Sequence, residues 1–222
     1  MQFIDIDGHI LEPQNLWVEN LEPEYRSRAM RFEKDDQGLE YWAIDGEMHG
    51  KLVQSTAANL STIGKSSDWR KEHIFERHDI TWDDGRAMVP GGCDPDERVK
   101  LMDREGIDVS FLFPSLGLSW MGTTRDKDLS AAYCRVYNDW ITDFCRKHPD
   151  RLLPCILLPW LDVSESVKEL KRTALYGTRA VMVPSTPPDD LAYGKTRWDP
   201  LWAEFQEQDI PLSLHPASGG TS

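Results

Sequence analysis

Short apolar runs that end at a proline constrain the fold of this chain more than any other feature of its sequence. The runs are FIDIDGHILEP at 3–13, VSFLFP at 109–114, LLPCILLP at 152–159, RAVMVP at 179–184 and IPLSLHP at 210–216. Apolar runs of this length, bounded by chain breakers, are typical of strands buried in a parallel sheet. The sequence therefore predicts five such strands.

Helical patterns separate these runs, with apolar residues at three- and four-residue spacing. Helices are predicted at 95–105, at 129–145, around Val167, Leu170 and Ala174, and from Asp199 onward. The first and last begin with an Asp-Pro pair, which predicts Asp94 and Asp199 as N-caps. Strands alternating with helices indicate βα units, and hence an α/β fold with a parallel sheet.

Residues 13–93 break this alternation, because the segment is polar, rich in Trp and Gly, and weakly periodic. We interpret it as an insertion after the first strand, within one domain that spans 1–222. A small hairpin is predicted in 39–53, turning at Asp45-Gly46. In a βα barrel such loops lie at the catalytic face.

Composition narrows the class of protein. Apolar residues make up 40% of the 222 residues, with nine tryptophans, which favours a chain with a substantial core. The net charge of −13 argues against a nucleic-acid-binding surface. No apolar run reaches the length of a membrane helix, and the four cysteines show no CxxC spacing. These features predict a cytoplasmic protein with neither a nucleic acid nor a membrane as partner.

The first apolar run carries polar residues at alternate positions. Asp5, Asp7 and His9 would share one strand face, and Ile4 and Ile6 the other. In a barrel we expect the isoleucines to pack on the helix layer and the polar residues to point inward. Asp and His are ordinary ligands for zinc or manganese. The alternative is a polar turn at Asp7-Gly8 with His9 in solvent.

A second histidine supports the metal interpretation. His215 ends the fifth run, so Asp7, His9 and His215 would form a set of two histidines and one carboxylate. Such a set suits catalytic zinc with an open position, and equally a non-haem iron centre. Trp160 follows another strand and is a candidate substrate-binding residue, although a packing role is equally compatible. His73 and His78 are expected to be solvated.

The quoted runs, together with DPDERVKLMDREGIDVSFLFP at 94–114, resemble the amidohydrolase-related family. The branch concerned includes aminocarboxymuconate semialdehyde decarboxylase and the resorcylate decarboxylases. The resemblance implies a metal-dependent (β/α)8 TIM barrel acting as a hydrolase or a non-oxidative carboxy-lyase. Its substrate would be a small aromatic or unsaturated carboxylic acid. The family's metal ligands fall on Asp7, His9 and His215, with zinc as the first expected ion and manganese as the second.

The resemblance also has a gap. Family members have eight barrel strands, and this sequence supplies about five βα units. The family's catalytic histidine and its aspartate ligand belong to later strands and would lie beyond residue 222, so no catalytic residue is assigned. We expect a C-terminally truncated piece of a longer protein. The alternatives are missing units supplied by another chain, or a non-catalytic barrel serving as a ligand-binding or scaffold subunit. Open sheet edges would favour a homo-oligomer.

Overall fold

A curled parallel sheet forms the centre of the computed structural model, which describes residues 2–36, 40–49, 81–187 and 191–216. The strands are β1 (Ile4–His9), β2 (Arg31–Lys34), β3 (Glu40–Ile44), β4 (Glu47–His49), β5 (Val109–Phe113), β6 (Leu152–Leu157), β7 (Ala180–Pro184) and β8 (Leu212–His215). The central sheet has the order β1-β5-β6-β7-β8, and every adjacent pair is parallel. All five predicted strands are confirmed.

Helices connect these strands and cover the outer face of the sheet. They are α1 (Leu16–Asn20), α2 (Trp82–Met88), α3 (Pro95–Glu105), α4 (Leu116–Thr123), α5 (Lys127–Cys145), α6 (Val163–Ala174) and α7 (Asp199–Gln208). The prediction for α3 is confirmed in detail. Asp94 accepts the backbone N–H groups of Asp96 and Glu97, and the helix ends at Gly106 with φ 71°.

The core lies between the sheet and these helices. Along α5, Asn138 pairs with the backbone of β6, because its amide both donates to the Leu157 carbonyl and accepts from the Leu157 N–H. The buried Asn138 is thereby satisfied and α5 is held in register on the sheet. Trp17, Trp120 and Tyr133 form a ring cluster beside it, each fully buried.

Residues between β1 and α3 form a separate small sheet, with β2, β3 and β4 antiparallel. The predicted turn at Asp45-Gly46 is confirmed, with φ of 54° and 78°, values typical of a tight hairpin turn. His73 and His78 lie outside the described residues. The interpretation of 13–93 as an insertion in one domain stays a prediction.

One helix prediction needs correction, and one helix was missed. Asp199 is the first residue of α7 rather than its N-cap, because a 3-10 turn at Thr196–Trp198 leads directly into the helix. Helix α4 was not predicted at all, since its sequence LGLSWMGT has no polar face. Among the described residues, no helix is both long enough and apolar enough to cross a membrane.

The predicted faces of β1 are also partly wrong. Ile4 and Ile6 are 52% and 72% exposed, so they do not pack on the helix layer. Asp5 instead accepts a hydrogen bond from the Ser110 hydroxyl, 2.9 Å away, on the side of α3. The reason is a register shift between Asp5 and Gly8 in the β1–β5 ladder, which breaks the simple alternation of faces.

Candidate metal centre

The two outer strands of the central sheet meet at their carboxyl ends. Asp7 and His9 end β1, and His215 ends β8. Because the sheet curls, the His9 and His215 rings lie edge to face with centroids 5.2 Å apart. The Asp7 Oδ1 atom lies 3.4 Å from His215 Nε2 and 3.8 Å from His9 Nε2. The structure thus brings together the three residues that the sequence singled out.

Both imidazoles are oriented by a backbone carbonyl. His9 Nδ1 donates to the Pro114 carbonyl oxygen at 2.7 Å, and His215 Nδ1 donates to the Pro216 carbonyl at the same distance. A carbonyl accepts only, so the proton sits on Nδ1 and the Nε2 lone pair stays free. This arrangement is the usual way in which proteins orient a metal-binding histidine.

Burial favours the neutral form of His9 at this site. The side chains of His9 and His215 are 13% and 15% exposed, whereas Asp7 is 68% exposed. Burial lowers the pKa of His9, and the facing His215 adds to the effect, against the opposing hydrogen bond to Pro114. Neutral imidazole is the form that binds a metal.

The donor set fits a divalent ion. The ligand atoms of Asp7, His9 and His215 all lie within 4.8 Å of one another. Ligand atoms about 2.1 Å from an ion stand about 3.0–3.4 Å apart, so a small inward movement would bring all three ligand atoms to bonding distance of one ion. Two imidazoles and one carboxylate leave positions open for other ligands, as catalytic sites require.

The ring of Phe113 forms the apolar wall of this site. It stacks on His215 with centroids 5.4 Å apart and is tilted against His9 at 6.2 Å. Phe113 ends β5 and is 2% exposed, so it excludes water from one side of the imidazole pair.

Glu12 secures the loop that orients His9. Its buried carboxylate accepts backbone N–H groups from Ser115, Leu116 and Gly117 at 3.0–3.2 Å, at the start of α4. This cap holds the segment that begins with Pro114, whose carbonyl binds His9. Burial nevertheless raises the pKa of Glu12 to about 7. Local sequence patterns do not reveal this cap, because the partners of Glu12 lie about a hundred residues further along the chain.

Trp160 lies inside the fold. It is 3% exposed, and its indole N–H donates to the Met121 carbonyl at 3.2 Å, which ties the end of β6 to α4. These are packing contacts. A substrate-binding role for Trp160 stays a prediction.

The curled parallel sheet with a histidine–carboxylate cluster at its carboxyl end defines a TIM-barrel type of metal-site protein. The amidohydrolase family model matches residues 4–222, and the chain belongs to that family. The family expected from the sequence motifs is therefore confirmed.

Known proteins similar to the chain include decarboxylases. A gamma-resorcylate decarboxylase from Rhizobium sp. (strain MTP-10005) is 32% identical over 127 residues, covering 54% of this chain and 38% of that protein. An amidohydrolase structure from Mycobacterium avium subsp. paratuberculosis K-10 superposes with a TM-score of 0.75 at 19% identity, covering 99% of this chain and 60% of its own.

A dihydroxybenzoic acid decarboxylase from Polaromonas sp. JS666, solved with bound manganese and the inhibitor 2-nitroresorcinol, superposes with a TM-score of 0.57 at 18% identity. The match covers 97% of this chain and 50% of that structure. The likeness shows that the fold is part of a barrel of this type. It also shows that the chain spans only about half the length of these neighbours.

Proposed function

We propose that this chain forms the metal-binding half of a decarboxylase that acts on a hydroxylated aromatic carboxylic acid. The observation that carries the proposal is the convergence of Asp7 Oδ1 with two oriented Nε2 atoms, from His9 and His215. Decarboxylation ranks ahead of hydrolysis because several similar proteins are decarboxylases of resorcylate or dihydroxybenzoate.

Manganese replaces zinc as the first expected ion. Sequence reasoning placed zinc first, but a two-histidine, one-carboxylate set with open positions also accepts manganese. The dihydroxybenzoic acid decarboxylase neighbour was solved with bound manganese. The exposed carboxylate of Asp7 suits a hard ion, since hard ions prefer oxygen ligands.

In this proposal the residues of the chain bind and orient. Asp7, His9 and His215 would hold the ion, which supplies positive charge for the substrate's carboxylate and neighbouring hydroxyl oxygen. Pro114 keeps His9 Nε2 directed at the site, and Phe113 shields one side from water. The carbon–carbon bond to the carboxylate breaks, carbon dioxide leaves, and a proton is delivered to the ring carbon. This proton must come from a general acid or from water.

The experiment uses the Mn²⁺-loaded chain and follows its electron paramagnetic resonance spectrum as 2,6-dihydroxybenzoate or 2-nitroresorcinol is added. We expect a spectral change for both compounds, and none for benzoate, which has no adjacent hydroxyl. Carbon dioxide release is measured in parallel. Binding without release would support a site that is assembled but catalytically incomplete. An unchanged spectrum with all three compounds would contradict the substrate class.

We propose a small molecule as the partner of the site, and association of the open sheet edges as the source of any homo-oligomer. Ile4 and Ile6 on β1, and Leu214 on β8, support association because they are more than half exposed. All four cysteines are free, which supports a reducing compartment such as the cytoplasm.

A further inference from the structure

The irregular part of β1 packs against a polar trio of Asp5, Arg98 and Ser110, of which Arg98 and Ser110 are buried. Between Asp5 and Gly8 the register with β5 shifts, so that the side-chain position of Gly8 faces the helix side of the sheet. A Cβ atom at Gly8 would lie 2.4 Å from Ser110 Oγ, 2.7 Å from Asp5 Oδ2 and 2.9 Å from Arg98 Nη2. A side chain at position 8 would force these three groups to move, so glycine lets the backbone lie directly against Ser110, Asp5 and Arg98.

Arg98 is the central member of this trio. It lies on α3, is 4% exposed, and donates from Nη2 to the His9 carbonyl at 2.9 Å and from Nη1 to the Gly91 carbonyl at 3.3 Å. Burial lowers the pKa of Arg98, and the nearby Asp5 charge opposes this effect. A buried guanidinium is costly to keep, and an apolar side chain of similar size would fill the same volume.

The chain that leaves His9 is fixed at successive residues. The Ile10 N–H donates to the Phe113 carbonyl at 3.0 Å, and the Leu11 N–H donates to the Gly92 carbonyl at 2.7 Å. Arg98 joins the two supports, because it bonds His9 on one side and the turn at Gly91 on the other. The His9 backbone therefore has little freedom to rotate or shift.

We propose that Arg98 is a positioning residue for the metal centre. Its guanidinium fixes the His9 carbonyl, and with it the bulge that turns Asp7 and His9 together toward His215. The inference rests on the metal-binding part of the proposed function. Arg98 lies on the helix-covered side of the sheet, and it acts on the metal centre on the opposite side through the His9 backbone.

The test compares Arg98→Met with Arg98→Lys, using Arg104→Met as the matched control. Arg104 lies on the same helix but is exposed. The dissociation constant for Mn²⁺ alone is measured well below the unfolding temperature of each variant. We expect Arg98→Met to weaken binding by about 10- to 100-fold, as loss of an outer-shell support does. Arg98→Lys, which retains one donor nitrogen in place of two, should fall between it and the wild type, and Arg104→Met should match the wild type.

A second measurement separates this inference from the proposed function. In the metal-free chain, an NMR contact between the ring protons of His9 and His215 reports their edge-to-face packing. We expect this contact in the wild type and Arg104→Met, and its loss in a folded Arg98→Met. If the wild type binds no Mn²⁺, the metal proposal fails while the ring contact still decides the role of Arg98. Arg98→Met with wild-type affinity, or with the ring contact intact, would overturn the inference.

Discussion

The middle and the two edges of the central sheet differ in how completely they are covered. Leu112, Ile156 and Val181, on the middle strands β5, β6 and β7, are fully buried. Ile4 on β1 and Leu214 on β8 are 52% and 57% exposed, and in the described part of the chain each of these strands pairs on one side only. Yet Asp7, His9 and His215 all come from the two edge strands.

The strands that contribute most to stability are therefore not the strands that carry the candidate metal ligands. The middle strands bury the side chains that drive folding, since apolar burial is the largest favourable contribution to stability. The edge strands contribute less burial but meet at their carboxyl ends because the middle of the sheet curls. The positions of the three candidate metal ligands therefore depend on a hydrophobic core to which their own side chains contribute little.

The largest expected effect comes from the middle strands. Ile156→Ala should lower the free energy of unfolding by about 3 kcal/mol, because it leaves a cavity in a fully buried site. Leu214→Ala should cost less than about 0.5 kcal/mol, because its side chain is already more than half exposed. Urea denaturation at one pH measures both. Equal losses of unfolding free energy in the two variants would contradict the difference between the middle and edge strands.

The pH dependence of stability tests how the edge strand β1 is attached to the fold, because the buried carboxyl of Glu12 connects the end of β1 to α4. Its pKa is about 7 in the fold against an ordinary 4.5. A raised folded-state pKa gives stability that is present below pH 4.5 and lost as the pH rises through about 7. Relative to Glu12→Gln, the wild type should lose up to about 3 kcal/mol across this window. Parallel stability curves for the two proteins would contradict the shift.

Gly8→Ala tests the packing behind β1. The added methyl group would overlap Ser110, Asp5 and Arg98, and relief of such crowding typically costs about 1–3 kcal/mol. We also expect weaker Mn²⁺ binding, because the bulge that aligns Asp7 with His9 must shift. Gly106→Ala serves as the control, since open space surrounds that position and its left-handed backbone accounts for any loss. Unchanged metal binding in Gly8→Ala would show that the bulge does not determine the geometry of the metal site.

The smallest effect on stability is expected at the exposed edges. Ile4→Lys combined with Leu212→Lys should change the free energy of unfolding by less than about 0.5 kcal/mol, since both side chains are exposed. Charge on an edge strand opposes pairing with another chain, so self-association should decrease. Sedimentation velocity measures the change. Identical sedimentation of variant and wild type would show that these edges do not associate.

Much of the fold follows from local sequence. Each apolar run with its proline became a strand, and Asp94 with Gly106 bounded α3, because these signals depend on neighbouring residues alone. Helix α4 was missed because its sequence has no polar face and because its start is stabilised by Glu12, which no local pattern reveals. The N-cap at Asp199 was wrong because a preceding 3-10 turn competes with the simple Asp-Pro rule.

The sequence identified the candidate metal ligands but not the packing contacts that hold them in place. Asp7, His9 and His215 could be named because strand ends of one parallel sheet share an edge. Asp5 was placed on the wrong face because strict alternation assumes a regular strand. The bulge that breaks it is packed against Ser110 and Arg98, about a hundred residues further along the chain. Neither residue carries a metal-ligand signal in the sequence.

Metal content shows directly whether Asp7, His9 and His215 bind a divalent ion. The chain is loaded with Mn²⁺, dialysed, and analysed by inductively coupled plasma mass spectrometry beside His9→Ala and His215→Ala. His148→Ala is the matched control, because His148 pairs with Asp96 at 2.8 Å away from this cluster. We expect near-stoichiometric manganese in the wild type and the control, and its loss in both site variants. A folded wild type without manganese, or site variants that retain it, would contradict the account.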